Sequence, residues 1–265
     1  MFHRASSVGR VPVWTETIDP HRATRVVVVV VVRSIRSVMS PPFLGLRAPT
    51  PADVAAACDH GRARGYNYPS ALVGTSDRDE TRERTQRARL EADGKHRWAV
   101  DRTRARVGRG RACYERAERA LRGWEHFQLG WATVDETSGT KAGDAVCVVA
   151  RVAGVWIRNP LRVVAFRKRE REEGEVRRVG TVERFSFAHG TLGGHLLAGE
   201  ERFAVELTED GDVFYEAYAF SRPAHALSVI GYPFVRLLQK RFHWDSTRRM
   251  RKILAAESGG QLAMK

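Results

Sequence analysis

The chain has 265 residues, 45 Lys and Arg against 31 Asp and Glu for a formal charge of +14, and 43% apolar residues. That is the length of one domain with extensions, and enough apolar mass for a core, so a chain disordered throughout, a collagen and a coiled coil are all excluded. Three widely spaced cysteines, Cys58, Cys113 and Cys147, form neither a disulfide framework nor a zinc motif, which makes a reducing compartment the expectation.

In chain order, residues 1–40 are rich in Arg, Ser and Val, with Glu16 and Asp19 their only acids. The valines from Val26 to Val32 are far too few to span a bilayer, which takes about 20 apolar residues. No secretory cleavage pattern follows them, so the stretch is compatible with either an organellar transit peptide or an over-extended gene start, with Met39 the alternative initiator. Thr50 followed by Pro51 opens a helix running to His60, which Gly61 and Gly65 are expected to end. Residues 77–97 are almost wholly charged and read as a solvated helix or linker. Gly108 and Gly110 mark a strand-to-helix turn, after which Tyr114, Ala117, Ala120, Leu121 and Trp124 recur at helical spacing.

Beyond Leu129 the period becomes strand-like. Runs rich in β-branched and aromatic residues occupy 131–134, 145–155, 161–166, 179–187, 201–207 and 213–220, separated by breakers that include Asn159-Pro160, Gly193-Gly194 and the hairpin signal Asp210-Gly211. After Pro223 a helical pattern returns through Phe234, Leu237, Leu238 and Phe242 to Met250, Ile253 and Leu254. The fold class is therefore α+β: a short N-terminal helical segment, a curved antiparallel sheet of about six strands, and a long C-terminal helix laid across its concave face. The domain division read from composition is a low-complexity extension at 1–40, a helical segment and charged linker at 41–97, the core at 98–258 and a tail at 259–265. A sheet gripped by a helix can enclose a cavity for an apolar ligand, and Phe185, Phe187, Phe203, Phe214, Tyr215, Tyr218 and Phe220 either line it or fill the core.

Several blocks carry a resemblance. Gly65-Tyr66-Asn67-Tyr68, Arg106-Val107-Gly108-Arg109-Gly110, Trp124-Glu125-His126-Phe127, the run from His189 to Phe203, and Phe220-Ser221-Arg222-Pro223-Ala224-His225 resemble, in order, those of uncharacterised protein family 0548, most closely its plant branch. So does the run from Gly231 to Lys240, and the resemblance spans about residues 42–255. The family is a domain of unknown function, so the resemblance implies relatives and a helix-grip-like fold without implying a reaction.

The block from His189 to Glu201 concentrates two His, two Glu and four Gly between strands. His189, His195, Glu200 and Glu201 are the candidate catalytic residues, a His base with a Glu partner. Their spacings fit no metal pattern, and no cofactor motif is present. The candidate ligand-binding residues are His189, Gly190, Thr191, His195, Glu200, Ser221, Arg222 and Arg236, with Arg222 suited to an anion at the start of a helix opened by Pro223. The structural alternative has Ser221 cap that helix while Arg222 pairs with Glu200 or Glu201. The leading functional expectation is a soluble module binding an apolar or amphipathic small molecule. The alternatives are a His/Glu acid-base enzyme and a basic surface for anionic membrane or nucleic acid. No specific nucleic-acid partner is expected, because charge without a motif signals nonspecific attraction. Free thiols and the lack of a spanning segment point to an intracellular soluble protein, cytoplasmic or plastid.

Overall fold

The computed structural model describes residues 43–76, 86, 89–93, 97–169 and 180–260. The Val26–Val32 run, most of the charged stretch at 77–97 and the tail beyond Gly260 lie outside the described residues. In chain order the elements are β1 (Leu44–Gly45), α1 (Pro51–Arg64), a 3-10 turn (Ser70–Leu72), β2 (Ala99–Arg109), α2 (Arg111–Arg122) and a second 3-10 turn (Glu125–Phe127). There follow β3 (Ala132–Thr133), β4 (Ala145–Val152), β5 (Val155–Arg169), β6 (Thr181–Thr191), β7 (Leu197–Thr208), β8 (Asp212–Pro223), α3 (Ala226–Ile230) and α4 (Tyr232–Gly260).

The strands form one antiparallel sheet in the order β2-β8-β7-β6-β5-β4-β3, with β1 paired to the start of β5. Strands β4 to β8 follow one another as neighbours, and the first long strand returns to pair with the last, Ala99 opposite Ser221 and Arg109 opposite Asp212. This curved half-barrel with a C-terminal helix across it is a helix-grip fold. Among the described residues, no helix is long and apolar enough to cross a membrane.

Residue alternation divides β6, β7 and β8 between two faces. The concave face carries Phe185 and Phe187, Phe203 and Val205, and Tyr215 and Ala217, all fully buried against Tyr114, Leu121, Trp124 and Phe127 from α2 and its following turn. These aromatics therefore fill the core. Phe214, Tyr218 and Phe220 take the opposite face, where Phe214 stacks beneath Arg104 (3.6 Å) and Phe220 packs against Tyr68 and Trp98. The C-terminal half of α4 joins the main core through Met250 and Leu254.

The convex face is covered by the N-terminal segment. Arg202, buried, bonds Glu216 at 2.5 Å and donates to the Ser76 carbonyl at 2.6 Å, while Arg102 meets the other Glu216 oxygen at 2.7 Å. Such buried pairs gain little net stability, but removing one partner leaves a desolvated charge, so they fix which segment covers the sheet. Tyr218 donates to Gln86 at 2.6 Å, and Asn67 donates to the Leu197 carbonyl at 2.9 Å.

Three local expectations are corrected. Helix α1 begins as expected, with a Thr50/Asp53 capping box, but runs through Gly61 to Arg64. A Cβ on Gly61 would lie 2.7 Å from Pro160, so this glycine serves close helix-to-sheet approach rather than termination. Asn159-Pro160 lies inside β5, and the break falls instead at Ala153-Gly154, both at positive φ (51° and 82°) in a tight turn. Pro223 ends β8 and opens no helix, since α3 begins at Ala226.

Candidate functional site

Beneath the N-terminal half of α4 the concave face is incompletely filled. A cavity of about 210 Å³ remains, with apolar walls from Trp131, Val148, Ile157 and Leu161 on the sheet side and Val235, Leu238 and Phe242 on α4. The core aromatics stop at Phe127 and Phe203, and the short side chains Ala132, Ala150 and Ala219 leave the space beyond them open.

Two imidazoles in this wall, His189 and His243, approach Glu201. Strand register sets His189 of β6 directly opposite it, with Nε2 at 3.9 Å from one carboxylate oxygen. His243 of α4 approaches the other oxygen at 3.2 Å through Nε2, and its Nδ1 lies 3.1 Å from the Thr103 hydroxyl on β2. Both contacts are satisfied together when Thr103 donates to Nδ1 and the Nε2–H donates to Glu201. Glu201 keeps 20% of its side chain exposed, the one carboxylate lining the cavity whose oxygens are not enclosed by donors. Beside it, Gln239 donates to Ser221 at 2.8 Å and accepts from Arg236, which is clamped in two-pronged fashion on Asp101 at 2.5 and 2.6 Å.

Three neighbouring imidazoles are held neutral. Burial pushes His126 well below the ordinary imidazole range, and His189 adds to the effect; neither ring nitrogen of His126 makes a hydrogen bond among Trp124, Phe187, Phe203 and Tyr215. Burial likewise lowers His189, opposed by the Glu201 carboxylate. His195 falls to about 3, through burial first and His189 second. His195 Nδ1 is held against the backbone of Leu197, 2.9 Å from its N–H and 3.0 Å from its carbonyl oxygen.

The candidate residues from the sequence divide between two faces. His189, Thr191, His195, Glu200, Glu201 and Ser221 all border the cavity, but the Glu200 carboxylate points away from it. Glu200 does not share its neighbour's chemistry. Its carboxylate accepts from Tyr68 Oη (2.8 Å), Gly74 N (2.5 Å), Ser76 N (2.9 Å) and Ser76 Oγ (2.6 Å) on the convex side. Burial raises this carboxyl while the surrounding donors pull it back. Gly190 faces the same way, where a Cβ would lie 2.0 Å from the Tyr68 hydroxyl. The Thr191 hydroxyl is spent on Asn67 (2.5 Å) and on the Gly199 N–H (2.9 Å).

Arg222 neither pairs with a glutamate nor waits at a helix start. It donates to the Pro223 carbonyl at 3.1 Å and stacks over Trp98 at 5.3 Å. Ser221 accepts from Gln239 instead of capping a helix, because the strand continues past it. Arg236 is saturated by Asp101. The sequence reading missed His243, Thr103 and Asp101. His243 had a usable signal: with Gln239 it falls at i and i+4 within the apolar stripe Val235, Leu238 and Phe242 of the last helix, and a polar pair in that stripe needs partners. Among the described residues, no group of three or more His, Cys, Asp or Glu is placed to hold a metal ion.

Residues 82–249 match the profile described as "Domain of unknown function (DUF1990)". A UPF0548 protein of Arabidopsis thaliana is 37% identical over 187 residues, covering 71% of this chain and 86% of that protein. A UPF0548 protein of Dictyostelium discoideum is 30% identical over 219 residues, covering 79% and 95% respectively. Among solved structures, TTHA0849 from Thermus thermophilus aligns with a TM-score of 0.42 at 11% identity, over 60% of this chain and 99% of that one, a similarity too distant to bear on chemistry. The profile covers more than half of the sequence and the plant relative aligns across most of both proteins, so this chain belongs to the UPF0548 family of DUF1990 proteins.

Proposed function

We propose that the protein is a binding module for a small apolar or amphipathic molecule, held under the N-terminal half of α4 with its polar end at Glu201. The observation that carries this reading is the cavity itself: apolar walls with a single convergent polar cluster are the usual composition of small-molecule sites. Its volume, about 210 Å³, is below the roughly 300–1,000 Å³ of drug-sized pockets, so the occupant is a compact molecule or the end of a longer chain. Glu201 accepts, and the buried imidazole of His189 sits beside it, so a hydroxyl or amine suits the polar end of the ligand better than a carboxylate. Native and denaturing mass spectra of the full chain test this. A small molecule that copurifies and leaves on unfolding is expected, and its loss in a Leu238→Trp variant would place it in the cavity. An empty wild-type protein that also fails to take up hydroxylated or amine-bearing aromatics would overturn the reading.

A second reading has one observation behind it. Glu201 lies between His243 and His189, an arrangement able to pass a proton between a carboxylate and an imidazole. Under it, Glu201→Gln would abolish turnover of a bound molecule while leaving the binding itself within a few-fold of wild type.

A further inference from the structure

The outward face of the last two helices is apolar and cationic at once. Leu237 and Trp244 are 62% and 70% exposed and lie seven residues apart, hence on one line of α4, with Ile230 75% exposed just ahead of them on α3. Large side chains this exposed and this closely grouped mark a contact surface rather than scattered surface residues. Between Tyr232 and Ala255 the helix carries seven Lys and Arg and one acid, Asp245. That acid is already engaged by Arg241 at 3.2 Å and by the Trp131 indole at 2.9 Å. Lys240, Arg248 and Lys252, all exposed around the apolar line, have no acidic partner among the described residues.

From this juxtaposition we infer that the outer face of α3 and α4 docks on an anionic bilayer surface. A bilayer interface offers what both halves of the pattern need. Leu237, Trp244 and Ile230 enter the boundary between headgroups and acyl chains, where an indole is well accommodated, while the lysines and arginines remain at the level of the phosphates. A second copy of this chain fits poorly. Pairing the two faces would bring the cations of one protomer against those of the other, and the one described acid of this stretch, Asp245, is already held by Arg241 and Trp131. The same half of α4 that presents this line outward covers the cavity inward through Val235 and Leu238. The docked face therefore lies on the cavity's cover, although docking does not depend on what the cavity holds.

Flotation of the full chain with vesicles tests the inference, using phosphatidylcholine alone and equal parts phosphatidylcholine and phosphatidylglycerol. Binding is expected to the mixed vesicles and to weaken as salt rises, with a blue shift in tryptophan emission that Trp244→Phe reduces. Leu237→Ser and Trp244→Ser should each weaken binding about tenfold or more through lost apolar burial. Lys240→Gln and Arg248→Gln should each weaken it about fivefold. Thermal midpoints should not move, because these side chains contact little in the folded protein. Four results would overturn the inference: no vesicle binding, equal binding to both vesicle types, full binding by the Leu237→Ser/Trp244→Ser double variant, or a concentration-dependent dimer that Leu237→Ser disperses. The last would assign the face to a second copy. Loss of vesicle binding with the copurifying molecule retained would separate this inference from the proposed ligand site.

Discussion

Glu200 and Glu201 are adjacent in sequence and opposite in role, and paired substitutions to glutamine separate them. Glu200 accepts four hydrogen bonds, two at each oxygen. A glutamine can keep only one oxygen, so its amide group must face two former donors, and at least one backbone N–H, Gly74 or Ser76, is left buried without an acceptor. A hydrogen bond to a charged group contributes about 1.5–3 kcal/mol, and an orphaned buried donor costs about 1–3 kcal/mol. Relief from burying the charge offsets part of this, leaving about 2–4 kcal/mol of destabilisation. Glu201→Gln keeps a carbonyl for the His243 Nε2–H at a site open to the cavity, so it should cost less than about 1 kcal/mol. Urea unfolding at pH 7 reads both. With a slope of about 1–3 kcal/mol/M, the Glu200 variant should lose about 0.7 M or more in midpoint, and amide exchange should rise first around residues 68–76. Equal costs at the two positions, or a larger one at Glu201, would refute the assignment of faces.

Other expectations concern pH, packing and backbone. His126, His189 and His195 have folded values below the ordinary 6.5, so between those values and 6.5 the unfolded chain binds more protons and stability falls as pH falls. At pH 5 this costs up to about 2 kcal/mol per histidine, and His126→Leu should flatten the dependence of the thermal midpoint between pH 7 and pH 5 by about one such share. Trp124→Ala empties the centre of the core and breaks the indole bond to the Ser138 carbonyl at 3.0 Å, so calorimetry should find a loss of about 3–5 kcal/mol. Gly199 has φ +146° and a Cβ there would lie 2.0 Å from the Phe220 carbonyl oxygen, so Gly199→Ala should force β7 from β8 and lower the yield of folded protein by circular dichroism.

The architecture was legible because its signals are local. The Thr50-Pro51 start of α1, the Gly110 entry to α2, the alternating aromatics of β6 to β8 and the Asp210-Gly211 turn each follow from backbone preference or from an apolar period. The errors were also local. Ala153 at positive φ is no recognisable break, Pro160 inside a strand is disfavoured by propensity, and the β2 run Ala99–Arg109 alternates with arginines that show no amphipathic purpose until Glu206 and Glu216 are opposite them.

The sequence by itself determined which residues were chemically able to act, namely the His and Glu concentrated between 189 and 201 beside glycines. Only the tertiary structure decided which of them share a surface. A one-residue step along β7 turns Glu200 toward Tyr68 and Ser76 and Glu201 toward His189 and His243, and no period in the sequence says which face is concave. His243 reaches Glu201 from 42 residues away because α4 crosses the half-barrel, and Arg236 is clamped on Asp101, 135 residues distant on the first long strand. Composition and spacing fix local conformation through interactions a few residues long, whereas a site is made by side chains that only the closure of the sheet under its helix brings within hydrogen-bond distance.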